Sequence, residues 1–142
     1  MFIKQISVFI ENKEGRLDEV LKILCDGGIN LLSVSLADTS EYGVLRLISQ
    51  KPEKAYDILK NAGFTARIDE VIAVVVPDDV GSLQKVLAFL RDGGINITYI
   101  YGLSIDGPGA PIAIKTDNQE KASEILKANS VKTITQEELE EI

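Results

Sequence analysis

Apolar residues follow two different spacings along this chain, and the order of the spacings recurs after 66 residues. Within residues 2–10 they alternate with other side chains, which is typical of a strand with one buried face. Leu17, Val20, Leu21 and Leu24 then lie three or four positions apart, which predicts one apolar stripe along a helix. Gly27-Gly28 follows, and glycine commonly ends a helix because it accepts a positive φ. The pattern therefore predicts a strand that runs directly into an amphipathic helix.

Both halves of the chain predict the same succession of strand, helix, strand, strand, helix and strand. After the first helix, strands are predicted at residues 31–37, 44–48 and 65–68, with a turn over residues 38–43 between the first two. A second helix begins at Pro52, and its predicted buried side carries Ala55, Ile58, Leu59 and Ala62. The corresponding elements of the second half are predicted at residues 71–76, 81–91, 97–103, 110–114, 119–128 and 131–134.

The repeat predicts the fold class and the domain organisation. Residues 15–30 and 81–96 are identical at most positions, and past Gly109 the two copies slip by one residue. This order of elements is typical of an antiparallel sheet with both helices on one face. We therefore predict an α+β protein of two ferredoxin-like βαββαβ units, at residues 1–68 and 69–142. No Pro, Gly or Ser lies at residues 68–71, so the units are expected to pack together rather than hang on a flexible linker.

Composition narrows the class of partner. The chain carries 22 acidic and 15 basic residues, for a net charge of −7, which argues against nucleic acid and anionic membranes as partners. No apolar run approaches the 18 or so residues that span a bilayer, and the first residues read as a strand rather than a secretory leader. We expect a cytoplasmic protein. The single cysteine, Cys25, is predicted to be a small, partly buried residue. The acidic tail is predicted to form a terminal helix turn docked by Leu139 and Ile142.

The sequence contains few combinations of residues that could form an active site. The chain has no histidine, which excludes a Ser-His-Asp triad and histidine metal sites. Asp78 and Asp79 are adjacent on a predicted turn, where their carboxylates either bind a metal ion or are simply solvated. The glycine-rich residues 106–111 lie between two strands and lack a phosphate-binding lysine, so they predict a hairpin loop. We predict no catalytic residue, no metal and no cofactor. The alternative is an enzyme that uses Asp78, Asp79 and Tyr99 as acid and base.

The loops before the first helix of each half have the chemistry of a carboxylate site. A helix N-terminus presents unpaired N–H groups and a partial positive charge, and Gly15 and Gly81 let a ligand approach the backbone. The Asn12 amide both donates and accepts hydrogen bonds, which suits an amino-acid zwitterion, whereas Asp78 only accepts. Alternatively, Asn12 and Asp78 are helix N-caps or turn formers.

The second strands of the two halves add further candidates. Asn30 and Asn96 each follow Gly-Gly-Ile, and each could either contact a ligand or satisfy the turn into its strand. Tyr99 and Tyr101 alternate with Ile100, so they are expected on the sheet face that the helices of the unit leave uncovered. There the two tyrosines could cover a bound ligand, lie in a dimer interface or be partly buried on an uncovered sheet face.

Asn12-Lys13-Glu14-Gly15-Arg16-Leu17, followed by Gly28-Ile29-Asn30, resembles the signature of the ACT family of small-molecule regulatory domains. The resemblance covers both halves, except that Asp78 stands where the motif has Asn. It implies that the protein binds an amino acid, with the strand-to-helix loop of one module facing the second strand of its neighbour. Under this resemblance the ligand-binding residues are Asn12, Lys13, Glu14, Gly15, Arg16, Leu17, Asn30, Asp78, Val80, Gly81, Leu83, Asn96 and Tyr99.

The implied role is that of a non-catalytic sensor. We predict an amino-acid ligand and a homodimer formed through Tyr99, Tyr101 and the neighbouring Ile97, since a soluble monomer rarely exposes such an apolar patch. The alternative is a regulatory or assembly subunit that docks on a metabolic enzyme and whose ligand sites are vestigial.

Overall fold

The computed structural model describes residues 2–38 and 41–142; the predicted turn over residues 38–43 includes Thr39 and Ser40, which lie outside the described residues. The elements follow the predicted order, except that one strand takes the place of the two predicted at residues 65–68 and 71–76. They are β1 (Phe2–Glu11), α1 (Arg16–Asp26), β2 (Leu31–Asp38), β3 (Tyr42–Ser49), α2 (Pro52–Asn61), β4 (Thr65–Val76), α3 (Ser82–Asp92), β5 (Ile97–Gly102), β6 (Ala110–Thr116), α4 (Gln119–Ala128), β7 (Lys132–Thr133) and α5 (Gln136–Glu140).

The chain forms two compact units, and neither is a continuous segment. Residues 4–69 together with residues 140–142 make the unit that we call the N-terminal unit. Residues 70–139 together with residues 2–3 make the C-terminal unit. Each contains antiparallel strands and two long helices in the order that the repeat predicts, which confirms the α+β class with two ferredoxin-like units.

In the N-terminal unit the helices α1 and α2 pack on one face of the sheet. β1 and β3 are antiparallel, with Ile6 opposite Leu47 and Val8 opposite Leu45. These aliphatic side chains meet the buried stripes of the two helices in one core. Its buried members are Ile6, Val8, Ile10, Val20, Leu24, Ile29, Leu45, Leu47, Ala55 and Leu59.

The C-terminal unit repeats this arrangement with α3 and α4. β4 and β6 are antiparallel, with Ile72 opposite Ile114 and Val74 opposite Ile112. The buried core members are Ile72, Val74, Val76, Val86, Leu90, Ile95, Ile114, Ala122 and Leu126. None of the helices in the described part of the chain is both long and apolar enough to span a bilayer.

The structure corrects the prediction of separate strands at residues 65–68 and 71–76, because β4 runs through both as one strand. Asp69, at the expected break, stays in the strand, where its carboxylate accepts from Ser7 Oγ at 2.9 Å and Arg67 Nε at 3.1 Å. The Asp69 carboxylate thus has hydrogen-bond partners within the strand conformation, and no Pro or Gly is present to end the strand at this point.

Three burial predictions at the ends of helices are wrong. Ala62 is exposed because it follows the last residue of α2, where its N–H donates to the Ile58 carbonyl at 3.1 Å. Cys25 is exposed because it lies one position beyond the buried Leu24, turned away from the core. Leu139 docks as predicted and is fully buried, but Ile142 is 55% exposed.

Candidate functional site

The predicted ligand loop is a tight turn that ends in a left-handed glycine. β1 ends at Glu11 and α1 begins at Arg16, with Gly15 at the N-cap position with a φ of 83°. Gly81 holds the same place before α3 with a φ of 86°. A Cβ atom on either glycine would meet nothing within 4 Å. Both positions therefore need glycine for the backbone conformation and leave open space beside the helix start.

Both helices begin without a side-chain cap. Arg16 and Glu19 donate their backbone N–H groups to the carbonyls of Lys13 and Gly15, and α3 shows the same two bonds. Among the described residues no side chain caps either helix, so the backbone N–H groups of Leu17 and Leu83 have no intrahelical partner. The alternative that Asn12 and Asp78 are N-caps is therefore wrong, since Gly15 and Gly81 hold those positions. The turn-former alternative stays open, because the Asn12 N–H donates to the Glu41 carbonyl at 2.9 Å.

Charged side chains of the loop pair with one another. Lys13 Nζ lies 2.8 Å from Glu11 Oε2, and Arg16 lies 3.6 Å from Glu11 and 3.0 Å from Glu19. The hydrogen bond and charge of Lys13, with the charge of Arg16, lower the pKa of the Glu11 carboxyl below its ordinary value. Asn12 and Glu14 are exposed. Within residues 2–38 and 41–142 the Asn12 side chain makes no hydrogen bond, so its amide is available to a ligand.

The two helix N-termini differ in charge. The first turn of α1 carries Asp18 and Glu19, which already stabilise the positive end of the helix dipole. The first turn of α3 carries no acidic residue, although Asp78 and Asp79 precede it. The two loops thus offer a carboxylate different surroundings.

Asn30 lies at the far end of α1 from Asn12. The helix between them has 11 residues, which corresponds to a length of about 16 Å. One small amino acid cannot contact both side chains within a unit. In the second repeat, the Asn96 N–H donates to Asp117 Oδ1 at 3.0 Å, and its carbonyl accepts from the Asp117 N–H at 3.1 Å. These bonds fit the reading of Asn96 as a turn residue.

Tyr99 and Tyr101 lie on the sheet face opposite the helices, as expected. Ile100 pairs with Ile114, a member of the helix-side core, and the two tyrosines alternate with it. Their rings are half-buried and stack on each other, with centroids 6.4 Å apart. The expectation that Ile97 joins their patch is wrong, because a register shift beside Tyr99 turns Ile97 into the core. Val80 is fully exposed and lines neither of the two cavities described below.

A pair of cavities, one in each unit, occupies the same place in the repeat. The cavity of the C-terminal unit has a volume of about 560 Å³ and is lined by the end of β4, the first half of α3, Pro108-Gly109 and residues 129–132. The cavity of the N-terminal unit has a volume of about 330 Å³ and is lined by the end of β1, the start of α1, Tyr42 and residues 62–65. Sequence reasoning missed both cavities. The sequence feature that relates the two cavities is the one-residue slip in the repeat. It aligns residues 62–65, which line the smaller cavity, with residues 129–132, which line the larger one.

Of the predicted site residues, only Arg16 lines either cavity. Asn12, Lys13, Glu14 and Gly15 are exposed and fall in the chain between Glu11 and Arg16, which line the smaller cavity. In the part of the chain that the structure describes, no group of three or more His, Cys, Asp or Glu side chains is arranged to hold a metal ion.

The chain is similar to known proteins along its whole length. A family model described as an ACT domain pair matches residues 1–142. Protein BT0572 from Bacteroides thetaiotaomicron has 37% sequence identity, with 100% of this chain and 98% of that chain covered and a TM-score of 0.92. No protein of curated function matches the sequence.

Two more distant structures share the fold. The ligand-free regulatory subunit of aspartate kinase from Thermus thermophilus has 16% identity over 89% of this chain and 90% of that chain, with a TM-score of 0.61. The same subunit from Thermus flavus has 17% identity over 88% and 90%, with a TM-score of 0.59. At such identities the likeness extends to the fold alone.

Proposed function

The chain belongs to the family of ACT domain pairs, a regulatory fold, and on this premise we propose that it is a non-catalytic sensor that binds a small amino acid. The loop between β1 and α1, at residues 12–17, is the binding site in this proposal. The corresponding loop of the second repeat, with Asp78, Gly81 and Leu83, is a second and chemically different site.

One observation carries the proposal: an uncapped helix N-terminus follows a left-handed glycine in both repeats. The unpartnered N–H groups at the start of α1 are donors for the ligand carboxylate. The exposed amide oxygen of Asn12 and the carboxylate of Glu14 are acceptors for its ammonium group. Backbone N–H groups can bind the carboxylate of any α-amino acid. The preference of the site for one amino-acid side chain therefore depends on the surroundings of the loop.

A second copy of the chain completes the site in this proposal. Asn30 is too far from Asn12 to share one ligand within a unit, so we assign it to the site of a neighbouring copy. We therefore propose a homodimer, with the stacked Tyr99 and Tyr101 on the surface that the dimer buries. We also propose that the protein acts in the cytoplasm, where free amino acids report metabolic state.

A thermal-shift screen of the twenty standard L-amino acids tests the proposal. A ligand at about 100 times its dissociation constant stabilises the fold by roughly 2.7 kcal/mol. For a chain of this length each kcal/mol raises Tm by roughly 2–4 °C, so one or a few amino acids should raise Tm by several degrees. The D-enantiomer of each hit is the matched control. The absence of any shift at millimolar concentration would contradict amino-acid binding.

The second candidate function is that of a regulatory subunit that docks on a metabolic enzyme. The observation that favours it is the exposed apolar surface of β2, where Val34 is 46% and Leu36 is 47% exposed. The fold shared with the regulatory subunit of aspartate kinase agrees with such a role. Replacing both residues by Thr would abolish docking under this candidate and leave an amino-acid Tm shift unchanged under the first.

A further inference from the structure

We propose that the cavity of the C-terminal unit, which adjoins the loop of the second repeat at Asp79 and Ser82, binds a small organic anion, a carboxylate with an apolar body, and is separate from the amino-acid loop at residues 12–17. Its volume of about 560 Å³ lies in the range of small-molecule sites. Val75, Phe89 and Val131 form much of the apolar wall, and all three are only half-buried. An apolar group placed between them would remove this surface from water.

The polar lining of the cavity is positively charged. Lys85 and Lys132 both line it, and Asp79 is the one acidic residue in the lining. In the part of the chain that the structure describes, neither lysine forms an ion pair. Two lysines against one aspartate leave one positive charge. An occupant with a net charge of −1 neutralises it, whereas a zwitterion does not.

The start of α3 adds to this preference. Ser82, the first residue of the helix, lines the cavity, and the first turn of α3 carries no acidic side chain. The positive end of the helix dipole is therefore not compensated from within the helix. Asn129 also lines the cavity, but its side-chain amide already donates to the Ile125 carbonyl at 2.8 Å. Recognition of the anion therefore depends on the two lysines and the helix start.

The cavity of the N-terminal unit supplies a natural contrast. Glu19 stands at the repeat position of Lys85, and Thr65 stands at the position of Lys132. Its lining contains Glu11, Glu19 and Arg16, which leave one negative charge. The two cavities thus share a location but have opposite charge. An anion should occupy the cavity of the C-terminal unit and avoid the other.

The test is an NMR titration of the ¹⁵N-labelled chain with 3-phenylpropanoate, which joins one carboxylate to an aromatic body. We expect shift changes at Val75, Phe89 and Val131 and none at Phe9 and Phe64 in the other cavity. Two controls keep the body and change the charge: 3-phenylpropanamide is neutral, and phenylalanine is a zwitterion. The amide loses a charged hydrogen bond, and phenylalanine adds an ammonium group that the two lysines repel, so each should bind about tenfold more weakly. Affinity for the anion should also fall as salt rises.

Variants identify the groups responsible. Lys85→Glu with Lys132→Thr installs the residue types of the other repeat and should weaken binding of 3-phenylpropanoate by about tenfold or more. Both lysines are exposed, so the fold should be kept, which the same spectra report. Asp79→Asn removes the opposing charge and should tighten binding, whereas Glu19→Gln should leave it unchanged.

Three outcomes would overturn the proposal. They are shift changes that map outside the cavity, equal binding of the amide or phenylalanine, and unchanged affinity in the double lysine variant. Binding at the loop of residues 12–17 is measured separately by the thermal-shift screen, so failure of the cavity proposal leaves that amino-acid site untouched.

Discussion

Gly93 lies so close to Ile125 that a Cβ atom at position 93 would overlap with Ile125 Cδ1. Gly27 and Ile58 have the same relationship in the other unit. The φ angles of these glycines, −84° and −81°, are open to any residue. Glycine here leaves the space that the end of the isoleucine side chain fills, so a methyl group at this position would force that side chain to move.

Gly93→Ala should destabilise the protein by about 1 kcal/mol, the lower end of the cost of overpacking, because only the flexible end of Ile125 has to move. Ile125→Val removes the Cδ1 atom that the new methyl would strike. The double variant should therefore lose less stability than the two single variants together, by about 0.5–1 kcal/mol. Urea unfolding of the four proteins measures this coupling. Strictly additive effects would show that space at Gly93 is not the constraint.

Asn12→Ala should weaken amino-acid binding by about 1–3 kcal/mol, because it leaves a polar ligand group unpaired. The Tm of the unliganded protein should hardly change, since the Asn12 side chain has no partner among the described residues. Calorimetric titration and a thermal melt measure the two effects. Asp78→Ala should weaken binding less than Asn12→Ala if the first loop carries the better site.

Asn118→Ala is the matched control for Asn12→Ala. The Asn118 side chain accepts from the Lys121 N–H at 3.1 Å and caps α4. Its loss should lower the free energy of unfolding by about 1 kcal/mol and leave ligand affinity unchanged. If both asparagine variants changed stability alone, the assignment of Asn12 to the ligand would be wrong.

The stability of the N-terminal unit should depend on the ionisation of Glu11. Lys13 and Arg16 lower the pKa of this carboxyl below 4.5 in the folded state. Their stabilising effect is therefore fully present above about pH 4.5 and is lost as the pH falls through the lowered pKa. Glu11→Gln lacks the effect, so its difference in unfolding free energy from the parent should shrink over this acid range. Lys13→Met should reduce the same difference, and parallel pH profiles for parent and Glu11→Gln would contradict the assignment.

Replacing Tyr99 and Tyr101 together by Ser should shift the proposed dimer toward monomer. Aromatic side chains at the centre of an interface often contribute about 2 kcal/mol or more each, so dimer dissociation should become at least tenfold easier. Light scattering at micromolar concentration measures the mass. Tyr56→Ser is the control, because Tyr56 lies on α2 and bonds to Lys60 within its own helix. A parent protein that is already monomeric at this concentration would refute the dimer.

Periodicity located the helices well because each has a one-sided stripe and a clear terminus. The predicted limits of α4 match the observed Gln119–Ala128, where Asn118 caps the start. The sequence predicts two strands in place of β4 because the repeat suggests a unit boundary at Asp69. In the structure the strand continues through this residue. The exposure of Ile142 depends on which surface the tail meets, and no local pattern encodes that.

The site was only partly accessible from sequence. Gly15 and Gly81 were identifiable because a left-handed residue before a helix is a local requirement. The cavities were not, since their walls join segments that are far apart in the sequence, such as the start of α3 and residues 129–132. The charge contrast between Glu19 and Lys85 is visible in the repeat, but its meaning appears only when both line equivalent cavities.

The exchange of short terminal segments between the units constrains the order of assembly on the ribosome. Residues 140–142 belong to the N-terminal unit, where Gln50 Nε2 donates to the Ile142 carbonyl. The first unit to be synthesised is therefore the last to be completed, because its closing segment is translated after the whole of the other unit. Residues 2–3, in contrast, are translated more than sixty residues before the rest of the unit to which they belong. A nascent chain halted at residue 69 would hold an incomplete N-terminal unit. An engineered split between residues 69 and 70 would separate the N-terminal unit from residues 140–142 and the C-terminal unit from residues 2–3.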